Sequence, residues 1–393
     1  MLSRRWPHDA TPNAWSMLLA ERRAAGATLV DLTEANPTQV GLGGVGPDEL
    51  AALASPEAAR YEPDPRGTLS ARDAVVGYYR ERSLAIGAED IVLSAGTSES
   101  YAHLFRLLAD PGESFLVPAP SYPLLEPLAA LEGVRLIRYR LAWDGGWHLD
   151  LGSLEAAMEH GPRAMIVVQP NHPTGSCLAA DELAAVERLC ERHGVAIVSD
   201  EVFADFPWAA PGPGEQGSLP SLLGERRVMT FVLSGLSKVC GMPQLKLGWI
   251  AVAGPAAARA DAMRGLEWIA DLFLSVGTPV QIALPRLLAG RHAWQAHVRE
   301  RIAINLAQVR ETIGRRRDLD LLGGAGGWVA VLRVPARRSE EAWALELLRR
   351  GVVVHPGQFF DFEGEAYLVL SLIVGPADLG VGLRHVESLA GES

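Results

Sequence analysis

Between Ile91 and Ala253 the chain alternates short apolar runs with stretches of helical periodicity, and this alternation restricts the fold more than any other feature. Strands are expected over 91–94, 114–117, 134–139, 164–168, 195–199, 228–233 and 247–253. Helices are expected over 99–108, 124–131, 154–160 and 179–193. Strands that are apolar throughout have no face to give to water, so they need cover on both sides. The expected fold is therefore α/β: a mostly parallel, seven-stranded sheet with helices on both faces, and a smaller α/β domain beside it.

The smaller domain is read from the last third. A long helical stretch breaks near Gly277-Thr278-Pro279 and at Gly290. Strand 328–334, helix 339–349 and strands 352–354 and 367–372 follow. The N-terminal helix over 14–25 and strand over 29–33 are expected to join them. The division expected is a large domain over 37–275 and a small domain made of 1–36 and 276–393.

A net charge of −11 argues against a general nucleic-acid binder and gives no electrostatic reason to sit on an anionic membrane. The clusters Arg315-Arg316-Arg317 and Arg337-Arg338 read as solvated faces. No apolar run reaches the roughly 18 residues that span a bilayer. Met1–Asn13 lacks the apolar core and cleavage site of a secretory leader. Cys177, Cys190 and Cys240 show no metal spacing, and so low and odd a count fits a cytoplasmic protein with idle thiols. Cys240 reads as a small packing residue.

Ligands of open parallel sheets sit beyond the carboxyl ends of the strands, and five features fall at such ends. Gly96-Thr97-Ser98 stands between a strand and a helix, where backbone amides and hydroxyls can cradle a phosphate; many strand-to-helix turns look the same. Asp200 is placed to keep a heterocyclic nitrogen protonated, or simply to cap a helix. Pro170-Asn171-His172-Pro173-Thr174-Gly175 and Pro120-Ser121-Tyr122-Pro123 are turns that can aim a polar group and a flat ring at the same edge, or only connect elements. Lys238, in Ser234-Gly235-Leu236-Ser237-Lys238, is set among small residues. Burial there would favour a neutral amine able to condense with a carbonyl; taken alone, the residue reads equally as a surface lysine in a polar turn.

The order and spacing of these motifs resemble the class I/II aminotransferases that use pyridoxal 5′-phosphate, over nearly the whole chain from Asn36-Pro37 to Ser371. The resemblance implies that Lys238 forms the Schiff base and moves the substrate proton. It implies that Asp200 partners the pyridine nitrogen, making the cofactor an electron sink, and that Tyr122 stacks on the ring. Gly96, Thr97 and Ser98 would hold the phosphate, with Ser234 and Ser237 as hydroxyl contacts. Tyr61 resembles the tyrosine that reaches the neighbouring subunit's phosphate, which implies a homodimer with shared active sites. The activity implied is ping-pong transfer of an amino group from an amino acid or related amine to a 2-oxo acid.

The chain departs from the family pattern at four places. His172 stands where an asparagine usually meets the cofactor's phenolic oxygen, and Phe203 where a tyrosine does; the lost donor is expected to raise the pKa of the lysine's Schiff base. Lys246 replaces the phosphate-binding arginine eight residues after the lysine, keeping the charge but not the planar fork. In Tyr367-Leu368-Val369-Leu370-Ser371, Val369 takes the place of the arginine that grips the substrate carboxylate. Lys246, Gln358 and the backbone amides near Asn36 are the candidates to replace it, and Trp328 and Phe359 either face the substrate side or belong to the core. This last departure keeps open a lyase, decarboxylase or oxidase on the same fold.

Overall fold

The computed structural model describes residues 3, 5, 11–209 and 217–392. The reading of Met1–Asn13 as no secretory leader therefore falls largely outside the described residues. No described helix is long and apolar enough to cross a membrane.

Strands Ile91–Ser94, Ala164–Val168, Ala196–Asp200, Thr230–Gly235 and Gly248–Ala253 are buried at every residue. Their apolar side chains alternate between two cores. Leu93, Val167, Ile197, Val232 and Trp249 pack on one face of the sheet; Val92, Ile166, Val198, Phe231 and Ile250 pack on the other. A pleat sends successive side chains to opposite faces, so an all-apolar run requires two covered faces.

The spatial order is Ile91–Ser94, Gly248–Ala253, Thr230–Gly235, Ala196–Asp200, Ala164–Val168, Ser114–Ala119, Arg135–Trp143, Trp147–Leu149. Gly248–Ala253 runs antiparallel to both its neighbours. The pairs from Thr230–Gly235 across to Arg135–Trp143 are parallel. The sheet thus has eight strands where seven were expected. The addition is Trp147–Leu149, folded back antiparallel on Arg135–Trp143 through Asp144-Gly145-Gly146, with Gly145 at φ 105°. Three residues are too few for alternation to register, but Asp-Gly is a hairpin signal and marks the turn.

The second core belongs to the smaller domain. Its antiparallel sheet runs Asp320–Leu322, Val329–Val334, Ala366–Ser371, His355–Pro356. The N-terminal segment joins it: Val30–Asp31 pairs in parallel with Val352–Val353, and the Trp15 indole donates to the Val354 carbonyl at 3.1 Å. Trp15, Leu19 and Leu32 are buried with Trp343, Leu368, Leu370 and Leu383.

The two cores meet later than the division at 275/276 places them. Helix Thr278–Ala289 buries Val280, Ala283, Leu284 and Leu287 in the large-domain core, whereas Trp294, Val298, Ile302 and Leu306 of helix Arg291–Ile313 lie in the small-domain core. The Gly-Thr-Pro break is the start of a helix, with Pro279 near its N-terminus, and the change of packing partner comes at Gly290.

Candidate active site

The carboxyl ends of the parallel strands open onto one cavity of about 200 Å³. Gly96, Thr97, Tyr122, His172, Asp200, Phe203, Ser237 and Lys238 line it, together with Ala35, Val168, Val202, Gly235 and Leu247. Residues from loops far apart in sequence thus meet at the switch between strand ends and helix starts.

Close backbone contact sets one wall. A Cβ on Gly235 would lie 2.9 Å from the Gly248 Cα, and a Cβ on Gly248 would lie 3.0 Å from the Gly96 Cα. These three glycines let the turn before helix Thr97–Leu108 press against the segment that carries Lys238. Gly96 has φ 139°, and a Cβ there would meet nothing within 4 Å, so backbone conformation rather than crowding demands glycine. The helix runs twelve residues from Thr97, and its first amide groups have no partner four residues back within the helix. The Glu99 and Ser100 amides donate to the Gly96 carbonyl, and Gly96 and Thr97 line the cavity at this end, an arrangement that can receive an anion.

Asp200 closes the strand Ala196–Asp200 and is 6% exposed. It does not cap a long helix. Its carboxylate accepts from the Tyr101 hydroxyl at 2.9 Å and from the Val202 amide at 3.2 Å. Burial raises its pKa to about 6; Glu201 adds to the rise, while the Val202 and Tyr101 donors and the Lys238 charge oppose it. At neutral pH it remains an anion.

Lys238 sits in the single turn Leu236–Val239. Burial pushes its amine down to about 8, with Asp200 pulling the other way. Its Nζ lies 4.7 Å from the centre of the Trp328 ring and 5.3 Å from that of Phe203. The turn is held from below, where Gln295 Nε2 donates to the Val239 carbonyl at 2.9 Å and to the Asp205 carboxylate at 3.0 Å. The Tyr78 hydroxyl donates to the same carboxylate.

His172 stacks on Phe203 (5.8 Å, 22° between planes) and meets the edges of Tyr122 and Phe360 at 6.0 and 5.5 Å. Burial, then the nearby Lys238 charge and His355, push its pKa down to about 3, so it is a neutral imidazole throughout the physiological range. Ser234 is fully buried, and its hydroxyl has no partner. A buried hydroxyl without a partner costs about 1–3 kcal/mol; Ser234 itself does not line the cavity, whereas its neighbour Gly235 does.

Several residues named from the sequence lie elsewhere. Ser98 is exposed, because successive residues of a helix point apart and Thr97 is the one that faces the cavity. Lys246 is exposed at φ 51°, where the turn Pro243–Leu245 leaves it outside the lining. Tyr61 is 79% exposed beside a separate hollow lined by Glu62, Thr68, Leu274 and Ser275. The Asn36 carboxamide oxygen accepts from Thr38, although its neighbour Ala35 reaches the cavity. Gln358 is exposed, with its backbone amide bonded to Glu340. Phe359 packs edge-on against Trp15, and Phe360 is the ring beside His172. Trp328 is 1% exposed, a core residue whose ring nonetheless stands next to the Lys238 amine.

Val369 does not line the cavity. It is 1% exposed, opposite Val331 and His355 in the sheet, in an apolar cluster with Phe360, Leu322, Val329 and Tyr367, against which Trp143 and Trp147 pack. An arginine placed there with the present neighbours would bury an unpaired guanidinium at a cost of several kcal/mol.

Tyr101 and Gln295 escaped the sequence reading, whereas Phe360 belongs to the aromatic set that follows the Pro356-Gly357 turn. Tyr101 has a local signal, since it lies four residues after Thr97 and so shares its helix face. Gln295 has none, because it reaches the site from a distant element.

Comparison with known proteins follows this geometry. The sequence model of the family described as aminotransferase class I and II matches residues 22–372. The glutamate-pyruvate aminotransferase of Escherichia coli K12 is 27% identical over 268 residues, 67% of this chain and 64% of that enzyme. The chain thus spans a little under two thirds of that relative's length. The S-alkyl-thiohydroximate lyase of Arabidopsis thaliana is 30% identical over 230 residues, 56% of this chain and 48% of that protein. An alanine aminotransferase structure from Pyrococcus furiosus superposes with a TM-score of 0.88 at 20% identity, covering all of both chains.

Proposed function

The chain belongs to the class I and II aminotransferases, and from that footing we propose that it moves an amino group from an amino acid or related amine to a carbonyl acceptor such as a 2-oxo acid. The observation that carries this reading is the meeting of the Lys238 amine and the Asp200 carboxylate in one cavity with the helix end at Gly96 and Thr97.

The family works with pyridoxal 5′-phosphate, and the residues present fit that group. The Gly96–Thr97 amides and Ser237, which line the cavity, would hold its phosphate, with the unpartnered Ser234 hydroxyl, one residue before the lining Gly235, as a further contact. Tyr122 would cover its ring, His172 would donate to its phenolic oxygen, and Asp200 would face its nitrogen. When bound, the cofactor supplies an electron sink for the bond that breaks. The chain's own groups do the rest. At about 8, the Lys238 amine is in part uncharged near neutral pH and can attack a carbonyl. Displaced by the donor, Nζ takes the proton from the amine-bearing carbon and later returns one to the acceptor carbon. Tyr101 orients the Asp200 carboxylate, which as an anion keeps a facing ring nitrogen protonated. The wall of Phe203 and Trp328 keeps water from the amine.

A homodimer is part of this reading. Tyr61, Trp268, Leu272, Phe273 and Leu274 expose 79, 68, 63, 50 and 38% of their surfaces, and Tyr61 and Leu274 line the same hollow. Exposed large apolar side chains in such numbers favour burial against another copy. The unpaired cysteines support a cytoplasmic setting.

The test is an absorbance titration of the cofactor-loaded protein with single amino donors and no acceptor, with ammonia assayed alongside. Stoichiometric conversion of the cofactor band without ammonia is expected. Ammonia released over many turnovers would instead favour elimination, the second reading, which the likeness to the Arabidopsis lyase supports.

A further inference from the structure

Lys238 is the cation among the residues lining the cavity, and it is the reacting group. Asp200, the lining carboxylate, repels a second anion. Beyond His172 the wall is aromatic and apolar apart from His355, which packs on Phe360 at 5.9 Å, stands opposite Val369 and is held toward its neutral form by burial. Phe360 meets the His172 ring edge-on at 5.5 Å, and Val369 shares the cluster behind it with Phe360, Val331 and Tyr367. Phe360 is fixed in that place, because its carbonyl accepts from the Ser121 amide at 2.9 Å, next to Tyr122. A carboxylate drawn against this wall would lose its water and find no lysine or arginine among the described residues that form it. An aryl or alkyl group would lose only its exposure to water, which favours binding.

We propose that the wall of His172, Phe360 and Val369 selects a substrate carrying an apolar, uncharged group there, so that the site takes a primary amine and its matching aldehyde over an α-amino acid and its 2-oxo acid. This rests on the aminotransferase reading above. The exchange balances without a further reagent. The donor carbon loses its nitrogen and a hydrogen and takes oxygen from water. The acceptor carbonyl yields its oxygen as water and gains the nitrogen and a hydrogen, so one carbon is oxidised by two electrons and the other reduced by two. Phe360 and Val369 are specificity-determining positions in this scheme, one facing the His172 ring and the other supporting it.

The experiment compares probes that share a ring and differ in a carboxylate, on the cofactor-loaded full chain. Equilibrium binding of 3-phenylpropanol and 3-phenylpropionate is followed by tryptophan fluorescence, and the cofactor band is titrated with 2-phenylethylamine and phenylalanine. Expected are at least tenfold tighter binding of the alcohol and a half-saturating concentration at least tenfold lower for the amine. Equal or tighter binding of the carboxylate, with phenylalanine converting the band, overturns the proposal and leaves the aminotransferase reading standing. Conversion by neither amine, nor by any amino acid, removes that reading and the proposal with it. Phe360→Gln is expected to narrow the alcohol-to-acid ratio at least threefold; an unchanged ratio in the folded variant also overturns the assignment of Phe360.

Discussion

The Lys238 amine stands 4.7 Å over the Trp328 ring, in a cavity whose carboxylate, Asp200, is itself raised to about 6 by burial. The ring and the carboxylate favour the charged amine, burial opposes it, and burial wins, leaving the amine at about 8. Only the uncharged amine attacks a carbonyl. Uptake of pyridoxal 5′-phosphate by cofactor-free protein should therefore quicken as pH rises through about 8 and level off above. Asp200→Asn removes the charge that raises this pKa, so the inflection should move to lower pH. Stopped-flow absorbance across pH 6–10 measures both; an inflection left in place by Asp200→Asn would count against the coupling.

His172 predicts the acid limb of stability. Its pKa is about 3 in the folded protein and about 6.5 when unfolded. Below about 6.5 the unfolded chain binds a proton that the folded one refuses, so stability falls as pH drops from there toward 3, by about 3 kcal/mol at pH 4. His172→Asn lacks that term. Its acid-unfolding midpoint should lie at lower pH than that of the parent, read by circular dichroism on cofactor-free protein.

Ser234→Ala should split two properties that usually move together. Without cofactor the unpartnered hydroxyl gives nothing, so the variant should be as stable as the parent or up to about 1 kcal/mol more so. With cofactor, a bond to an anionic phosphate worth about 1.5–3 kcal/mol is lost, so affinity should fall about 10- to 100-fold. Thermal melts with and without cofactor separate the two.

Gln295→Leu strips a donor from both the Val239 carbonyl and the buried Asp205 carboxylate. A loss of about 2–3 kcal/mol in urea unfolding is expected. Asp205→Asn combined with it should cost less than the sum of the two single changes, because they share one network.

The large sheet was legible because its central strands are mostly apolar and buried throughout, and its turns carry the site motifs directly at the strand ends. Lys238, Asp200, Tyr122 and His172 could be picked out for that reason. That Lys246 stands outside the cavity lining could not be read, because spacing along the chain does not report a left-handed backbone turn. The wall of Phe360 and Val369 was not legible in detail. Which of two adjacent phenylalanines faces His172 depends on the bond between Ser121 and Phe360, residues 239 apart in number. The break at Gly277 was visible, but a helix start and a domain change leave the same mark in sequence.

The pairing of Val30–Asp31 with Val352–Val353 has a consequence for how the chain is made. Trp15, Leu19 and Leu32 pack on residues near the far end, including Val354 and Leu383. During synthesis these early side chains wait exposed while the whole large domain emerges and folds behind them. A ribosome stalled before residue 352 would leave a folded Lys238 domain with a sticky leading segment, the species on which chaperone capture and proteolysis should concentrate.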